Sequence, residues 1–176
     1  DGVVLIGVTP DYSEATHKEA EVFFEKEASP ERKQILKRGM SGLPARIEAD
    51  PESRFVAWCL AAGAKSWYDM NFDASSLWDG MYTNMPMIDH VWGTIFRDID
   101  ITKELKSLNR PVLIALGRYD FLTGPVHLWN KVLPFFRRAT VHVFDKSAHC
   151  PQYEEPAQFN RVLLEWIHEN KTGSLI

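Results

Sequence analysis

The sequence is poor in the features that mark several specialised classes of protein. Its 176 residues include only two cysteines, Cys59 and Cys150, which give neither a disulfide framework nor the spacing of a metal site. No apolar run approaches the roughly 18 residues that a membrane helix needs. The net charge is −4, with acidic and basic residues interspersed, which argues against a nucleic-acid or anionic-membrane partner. We expect a cytoplasmic protein without a metal or a cofactor.

The composition is that of a globular protein, with 45% hydrophobic and 12% aromatic residues. A first apolar run at residues 3–8 begins two residues after Asp1 and is typical of a buried parallel strand. A buried strand so close to the first residue predicts that another segment precedes it. We therefore interpret the chain as a fragment or a processed subunit.

Two more predicted strands each lead to one titratable residue. Residues 111–117 carry five consecutive apolar residues and are followed by Asp120, while residues 140–144 are β-branched and aromatic and are followed by His149. The helical spacing of residues 126–135 between them predicts a βαβ unit with parallel strands. Ligands gather at the C-terminal edge of such a sheet, where Asp120 and His149 would both lie.

Residues 13–100 predict short helices without a strand, followed by a return to the sheet. Three of the predicted helices have capping signals at their starts, which are Ser13, Ser29 (with an end near Gly39) and Asp50 (with an end near Gly63). Two weaker helices are predicted at residues 73–82 and 88–97. We therefore divide the chain into a strand (1–10), a helical cap (11–100) and a core segment (101–176), which ends in an amphipathic helix at residues 156–170. An ordinary helical layer, instead of a cap, would give the same pattern.

Three short motifs carry a resemblance to a known family. Gly117-Arg118-Tyr119-Asp120 is followed about thirty residues later by Ser147-Ala148-His149 and then by Glu154-Glu155-Pro156. This order resembles the C-terminal part of an α/β-hydrolase, and most closely the proline-iminopeptidase-like subgroup. The resemblance implies an α/β fold made of three parallel strands of the hydrolase sheet with an inserted, all-helical cap.

The same resemblance implies roles for two residues. Asp120 would be the acid and His149 the base of a Ser-His-Asp triad, in the chain order Ser, Asp, His. A histidine suits the base because it titrates near neutrality, and the short ionised aspartate would fix its tautomer. The alternative for Asp120 is to cap the following helix or to pair with a surface arginine such as Arg118.

No nucleophile is recognisable in the sequence. The elbow motif Gly-x-Ser-x-Gly is absent, and the nearest match, Gly39-Met40-Ser41-Gly42, lies between predicted helices. Ser147 and Cys150 lie on the same loop as His149 and are poor candidates. We expect the serine in a missing or separate N-terminal polypeptide, which is then a partner of this chain, and we expect the chain alone to be inactive.

The substrate would be a small molecule or a short peptide. Phe121, Trp78, Tyr82 and Trp92 are candidates to line an apolar pocket, although for most of them a place in the core of the cap is the more common role. Iminopeptidases hold the substrate amine near a Trp-Glu pair, whereas this sequence has Leu77-Trp78-Asp79-Gly80.

The serine hydrolase that the resemblance implies would be a peptidase, an esterase or an amidase, and three alternatives to it remain open. The parent protein could instead attack with an aspartate, as epoxide hydrolases and dehalogenases do. It could also be a non-catalytic binding module that keeps the acid and base motifs. Finally, the chain could be an expression or proteolytic fragment without a role of its own.

Overall fold

A computed structural model describes residues 1–97, 99–100, 102–105 and 107–171 of the chain. The end of the predicted core segment, residues 172–176, lies outside the described residues. None of the helices in the described part combines the length and the apolar character that crossing a membrane requires.

Three parallel strands form the sheet, in the order β1 (Val3–Ile6), β2 (Val112–Gly117) and β3 (Ala139–Phe144). The prediction of three parallel strands is confirmed. β2 lies in the centre, with every residue buried, as its continuous apolar run predicts. β1 pairs with β2 from the Val3–Val112 register onward, and it is only half-buried because no further strand covers its outer edge among the described residues.

Helices make up most of the remaining chain. The α-helices are α1 (Glu14–Glu27), α2 (Pro30–Ala49), α3 (Arg54–Ala61), α4 (Gly63–Ser66), α5 (Met85–His90), α6 (Thr102–Leu105), α7 (Pro151–Glu154) and α8 (Pro156–Lys171). Turns of 3-10 helix lie at Pro51–Ser53, Ser75–Trp78, Val126–Lys131 and Leu133–Phe135, and a π-helical turn at Val91–Ile95 follows α5. We call residues 14–97 the helical segment.

The capping residues act as their positions predict. The Ser13 hydroxyl accepts a hydrogen bond from the N–H of Thr16, and the Ser29 hydroxyl accepts one from the N–H of Arg32. Each bond satisfies a backbone donor that has no partner within the first turn of a helix. The predicted starts of α1 and α2 are therefore confirmed.

The predicted end of the second helix near Gly39 is wrong. α2 continues through Gly39 and Pro44 to Ala49. The glycine serves a close contact between helices instead of a helix end, because a Cβ at Gly39 would overlap the carbonyl oxygen of Ala61 in α3.

Three other helix predictions need correction. Only Ser75–Trp78 is helical within the predicted helix 73–82, and Gly80 has a positive φ of 72° just beyond it. The predicted helix 126–135 is two 3-10 turns, because Pro134 has no N–H to donate to an α-helical bond. The predicted helix 88–97 starts earlier, at Met85, and changes to the π-helical turn after His90.

The core lies on both faces of the sheet. Alternate residues of β2 point to opposite faces, so that Ile114 packs near Trp129 on one face and Ala115 packs with Phe144 and Phe159 on the other. Phe159 belongs to α8, and the predicted packing of this helix on the sheet is confirmed. The loops that follow β2 and β3 each donate a backbone hydrogen bond to the helical segment, from Phe121 to Lys65 and from His149 to Ser66.

Candidate active site

Asp120 is held rigidly in the loop that follows β2. It is only 3% exposed. Its Oδ1 accepts hydrogen bonds from the N–H groups of Leu122 and Thr123, both at 3.0 Å, and its Oδ2 accepts one from the Thr123 hydroxyl at 2.6 Å. These three hydrogen bonds fix the orientation of the carboxyl group.

The alternative pairing of Asp120 with Arg118 does not occur. Arg118 instead donates from its Nε to Oδ1 of Asp145, at 2.6 Å, in an exposed ion pair. The bonds that Asp120 accepts from Leu122 and Thr123 are those of a carboxylate that organises its own loop. This arrangement leaves the outer part of Oδ2 available to a residue from another loop.

The structure brings His149 onto this carboxylate. The Nδ1 atom of His149 lies 3.0 Å from Oδ2 of Asp120. Its side chain is 30% exposed, compared with 5% for the side chain of Asp120. Because the carboxylate accepts, Nδ1 carries the proton and the neutral ring has its free lone pair on Nε2. An imidazole in this tautomer can accept a proton from a hydroxyl.

We call residues 118–125, after β2, the acid loop and residues 145–150, after β3, the base loop. Two glycines allow the strands to approach the base loop. Gly7, directly after β1, has a φ of 55°, and a Cβ there would overlap the carbonyl oxygen of His149. A Cβ on Gly117, at the end of β2, would overlap the carbonyl oxygens of Ser147 and Ala148. The base loop therefore lies directly across the ends of β1 and β2.

Two carboxylates hold the base loop from the other side. Glu154 accepts hydrogen bonds at Oε2 from the N–H groups of Ala148 (2.8 Å) and Cys150 (3.3 Å), the two neighbours of His149. Glu155 accepts at Oε2 from the N–H of Lys146 and from the Ser147 hydroxyl. Both glutamates belong to the Glu154-Glu155-Pro156 motif, but their hydrogen bonds to the base loop could not be predicted from the sequence. The only signal for it is a pair of acids a few residues after a loop histidine.

The surroundings of His149 shift its pKa in opposite directions. Burial of the ring lowers its pKa, whereas the hydrogen bond to Asp120 and the charges of Asp120 and Glu154 raise it. The net result is a pKa above the ordinary 6.5 of histidine. The pKa of Glu154 is raised by burial and by the charge of Asp120, against three backbone hydrogen bonds that lower it.

The candidate nucleophiles within the chain are poorly placed for attack. Ser147 is completely buried, and its hydroxyl donates to Glu155 at 2.7 Å. Burial and the charges of Glu154 and Asp120 raise the pKa of the Cys150 thiol to about 11, so that the reactive thiolate is scarce at neutral pH. Ser41 lies inside α2, where its hydroxyl donates to the Lys37 carbonyl.

The structure separates the four predicted pocket residues. Phe121 is 1% exposed and packs against Phe24 of α1, so it belongs to the core between the acid loop and the helical segment. The other three lie elsewhere in the helical segment. Trp78 contacts the ring of Phe55, Tyr82 is 88% exposed, and Trp92 contacts Tyr12 and Phe96 along a surface groove that His17 also lines.

Tyr12 lines the same groove and stacks on the ring of Phe96. Its pKa is raised by burial and then by the charge of Asp120. Sequence reasoning missed Tyr12 because a lone tyrosine in a loop carries no motif. Among the described residues, no group of three His, Cys, Asp or Glu side chains is arranged to hold a metal ion.

The chain is similar in sequence to known hydrolases. No protein-family model matches the chain. It is 42% identical over 167 residues to the AB hydrolase superfamily protein YclE of Bacillus subtilis (strain 168), which covers 95% of this chain and 59% of the relative. It is 30% identical over 95 residues to a proline iminopeptidase of Heyndrickxia coagulans, covering 49% of this chain and 32% of the relative.

A solved structure shows the same fold. The proline iminopeptidase of Mycobacterium smegmatis superposes with a TM-score of 0.62 at 17% identity, over 99% of this chain and 58% of that one. The chain thus spans somewhat less than three fifths of the longer proteins that it matches over nearly its whole length. In sequence the chain is related to the α/β-hydrolase superfamily, and it has the fold of the corresponding part of those enzymes.

Proposed function

We propose that this chain supplies the acid, Asp120, and the base, His149, of the Ser-His-Asp triad of a serine hydrolase. The observation that carries the proposal is the 3.0 Å contact between Nδ1 of His149 and Oδ2 of Asp120, made at the C-terminal edge of a parallel sheet. Catalytic groups of open α/β sheets lie at this edge. The kinship with α/β-hydrolases supports the same assignment.

The geometry allows a defined sequence of proton transfers. The Nε2 lone pair of His149 takes the proton of the attacking hydroxyl, and Asp120 stabilises the imidazolium that forms. His149 then returns the proton to the leaving group as the acyl-enzyme forms. In the second half, His149 removes a proton from the water that attacks the acyl carbon and gives it to the serine oxygen as the acyl bond breaks, so that the acid product leaves and the serine hydroxyl is restored.

The serine and the oxyanion hole belong, in this proposal, to an N-terminal polypeptide. The elbow Gly-x-Ser-x-Gly does not occur in the sequence, and Ser147 and Cys150 are unsuited to attack. The half-buried β1 supports such a partner, because an apolar edge strand favours pairing with another strand. The chain without that polypeptide is then inactive.

The helical segment acts as the cap over this site. It contacts the loop that carries Asp120 through the packing of Phe24 on Phe121, and its Trp92 and His17 line a surface groove together with Tyr12. A small-molecule ester or amide, or a short peptide, is the substrate class that fits a capped α/β-hydrolase. The relatives named proline iminopeptidases favour an amide or peptide bond.

Hydrolysis measured on the intact protein tests the proposal. We expect replacement of His149 by Ala to lower kcat/KM for p-nitrophenyl esters and for proline p-nitroanilide by at least about 10³-fold, the scale of losing a triad member. The matched control is His168→Ala, at an exposed position of α8.

Two outcomes would contradict the proposal. Equal rates for wild type and His149→Ala would show a non-catalytic binding module. Turnover of epoxides or haloalkanes, without turnover of esters and amides, would show an aspartate nucleophile instead of a serine.

A further inference from the structure

One stretch of the helical segment touches both catalytic loops. We call residues 64–68 the bridge segment; it contains most of α4 and the two residues that follow. The Lys65 carbonyl accepts a hydrogen bond from the N–H of Phe121 at 3.2 Å, and the Ser66 carbonyl accepts one from the N–H of His149 at 3.0 Å. Phe121 directly follows the acid, so two adjacent carbonyls join the acid loop to the base loop.

Arg32 of α2 binds the remaining carbonyls of the bridge segment. Its Nη1 donates to the carbonyls of Ala64 and Trp67, both at 2.7 Å, and its Nη2 donates to that of Tyr68 at 2.6 Å. Carbonyls at and beyond a helix C-terminus lack intrahelical donors, and a cation is favourable there. Arg32 thus holds the backbone on both sides of the two carbonyls that bind the loops.

The surroundings of Arg32 make its shape important. The residue is 8% exposed, and its guanidinium lies 5.5 Å from the centre of the Phe121 ring. A guanidinium presents five N–H donors in fixed directions, of which Arg32 uses those on Nη1 and Nη2 here, whereas a lysine ammonium is a compact point charge. A lysine at this position would keep the charge but could not reproduce all three directed bonds.

The far end of the bridge segment is tied to the base loop a second time. The N–H of Tyr68 donates to Oε1 of Glu154 at 2.6 Å. The other oxygen of the same carboxylate accepts from Ala148 and Cys150, on either side of His149. Movement of the bridge segment would therefore move the base through the Ser66 carbonyl and through Glu154 together.

We propose that Arg32 is a positioning residue for catalysis, which sets the geometry between Asp120 and His149 by holding the bridge segment against both loops. The inference rests on the proposed function, because it concerns the same acid and base. A misplacement of about 1 Å in a catalytic group can cost about 10²-fold in rate. An arginine without contact to substrate can therefore control the rate.

The test compares Arg32→Lys and Arg32→Met with Arg54→Lys in the intact protein. Arg54 is a matched control because it also binds a backbone carbonyl, that of Pro51, and pairs with Asp89 instead of the bridge segment. We expect both Arg32 variants to lower kcat at least about tenfold, with KM changed less than about threefold. NMR titration should show a lower pKa of His149 in Arg32→Lys, because its bond to Asp120 weakens, and no change in Arg54→Lys.

The pKa of His149 distinguishes positioning from a merely structural role. A folded Arg32→Lys variant with a lower melting temperature but with the kcat and the His149 pKa of wild type would overturn the inference. Failure of both Arg32 variants to fold would also overturn it, since Arg32 would then support the whole fold. If wild-type hydrolysis does not depend on His149, the proposed function fails, while the His149 pKa in Arg32→Lys still tests positioning.

Discussion

At the scale of single residues, His149 is the group whose behaviour follows most directly from its contacts. Its pKa is lowered by burial and raised, by a larger total, by Asp120 and Glu154. A base must be neutral to accept a proton, so activity should rise with pH through this raised pKa. The same shift makes protonated His149 stabilise the fold. That contribution is complete below pH 6.5 and is lost as the pH rises through the raised pKa.

Replacement of Asp120 by Asn should lower the pKa of His149. The two largest influences that raise this pKa come from Asp120, and without them burial dominates, so we expect a value below 6.5. Titration of the histidine ring by NMR measures the shift. The matched control is Asp145→Asn, which removes an exposed partner of Arg118. An unchanged His149 pKa in Asp120→Asn would mean that the contact with the acid is absent in solution.

The sequence predicted these two residues and missed those that hold them. Asp120 follows an apolar run and His149 follows a β-branched and aromatic one, and each belongs to a short motif, so their place at one sheet edge could be predicted. Arg32 could not, because it lies far from both in the chain and its partners are backbone carbonyls. Backbone carbonyls carry no sequence signal. Hydrogen bonds of this kind become visible only in the folded structure.

At the scale of elements, the contact between α2 and α3 depends on one glycine. α2 runs for 20 residues and passes α3 at Gly39, beside the carbonyl of Ala61. Glycine is unfavourable inside a helix by about 0.5–1 kcal/mol relative to alanine, so sequence rules favour a helix end there. The close approach of the two helices outweighs that preference. Local propensity alone therefore predicted the wrong end of α2.

Two glycines of α2 should respond in opposite directions to replacement by alanine. Gly39→Ala should lower the free energy of unfolding by about 1–3 kcal/mol, because the added Cβ meets backbone of α3. Gly42→Ala is the matched control in the same helix. It has open space around its Cβ position and should raise the free energy of unfolding by up to about 1 kcal/mol. Denaturant unfolding measures both, and equal effects would contradict the proposed helix contact.

At the scale of the whole molecule, the fold was more predictable than its details. Short apolar runs bounded by Gly or Pro predicted β1 and β2, β-branched and aromatic residues predicted β3, and the strand–helix–strand rule predicted their parallel direction. All three strands were therefore predicted within a few residues. The turns at residues 126–135 were not, since Pro134 changes the hydrogen bonding of a segment that keeps helical spacing.

The outer edge of β1 gives a prediction for the intact protein. The N–H of Val3 donates to the Pro111 carbonyl and that of Gly7 to the Ala115 carbonyl. Because successive N–H groups of a strand point to opposite sides, the N–H groups of Val4 and Ile6 point away from β2. If β1 pairs there with a strand of the nucleophile-bearing polypeptide, as we propose, these two amides should exchange with solvent at least about 100-fold more slowly than open amides. Hydrogen exchange followed by NMR measures the rates. Rapid exchange at Val4 and Ile6 would contradict the pairing.

The central claim is that His149 activates a serine in the intact protein. Covalent labelling by a fluorophosphonate, followed by intact mass, tests it most directly because the reagent reacts with an activated serine. We expect one added phosphonyl group per wild-type protein, on a serine other than Ser41 and Ser147, and labelling at least about 100-fold slower in His149→Ala. A wild-type protein that is not labelled, or labelling at the same rate without His149, would contradict the claim.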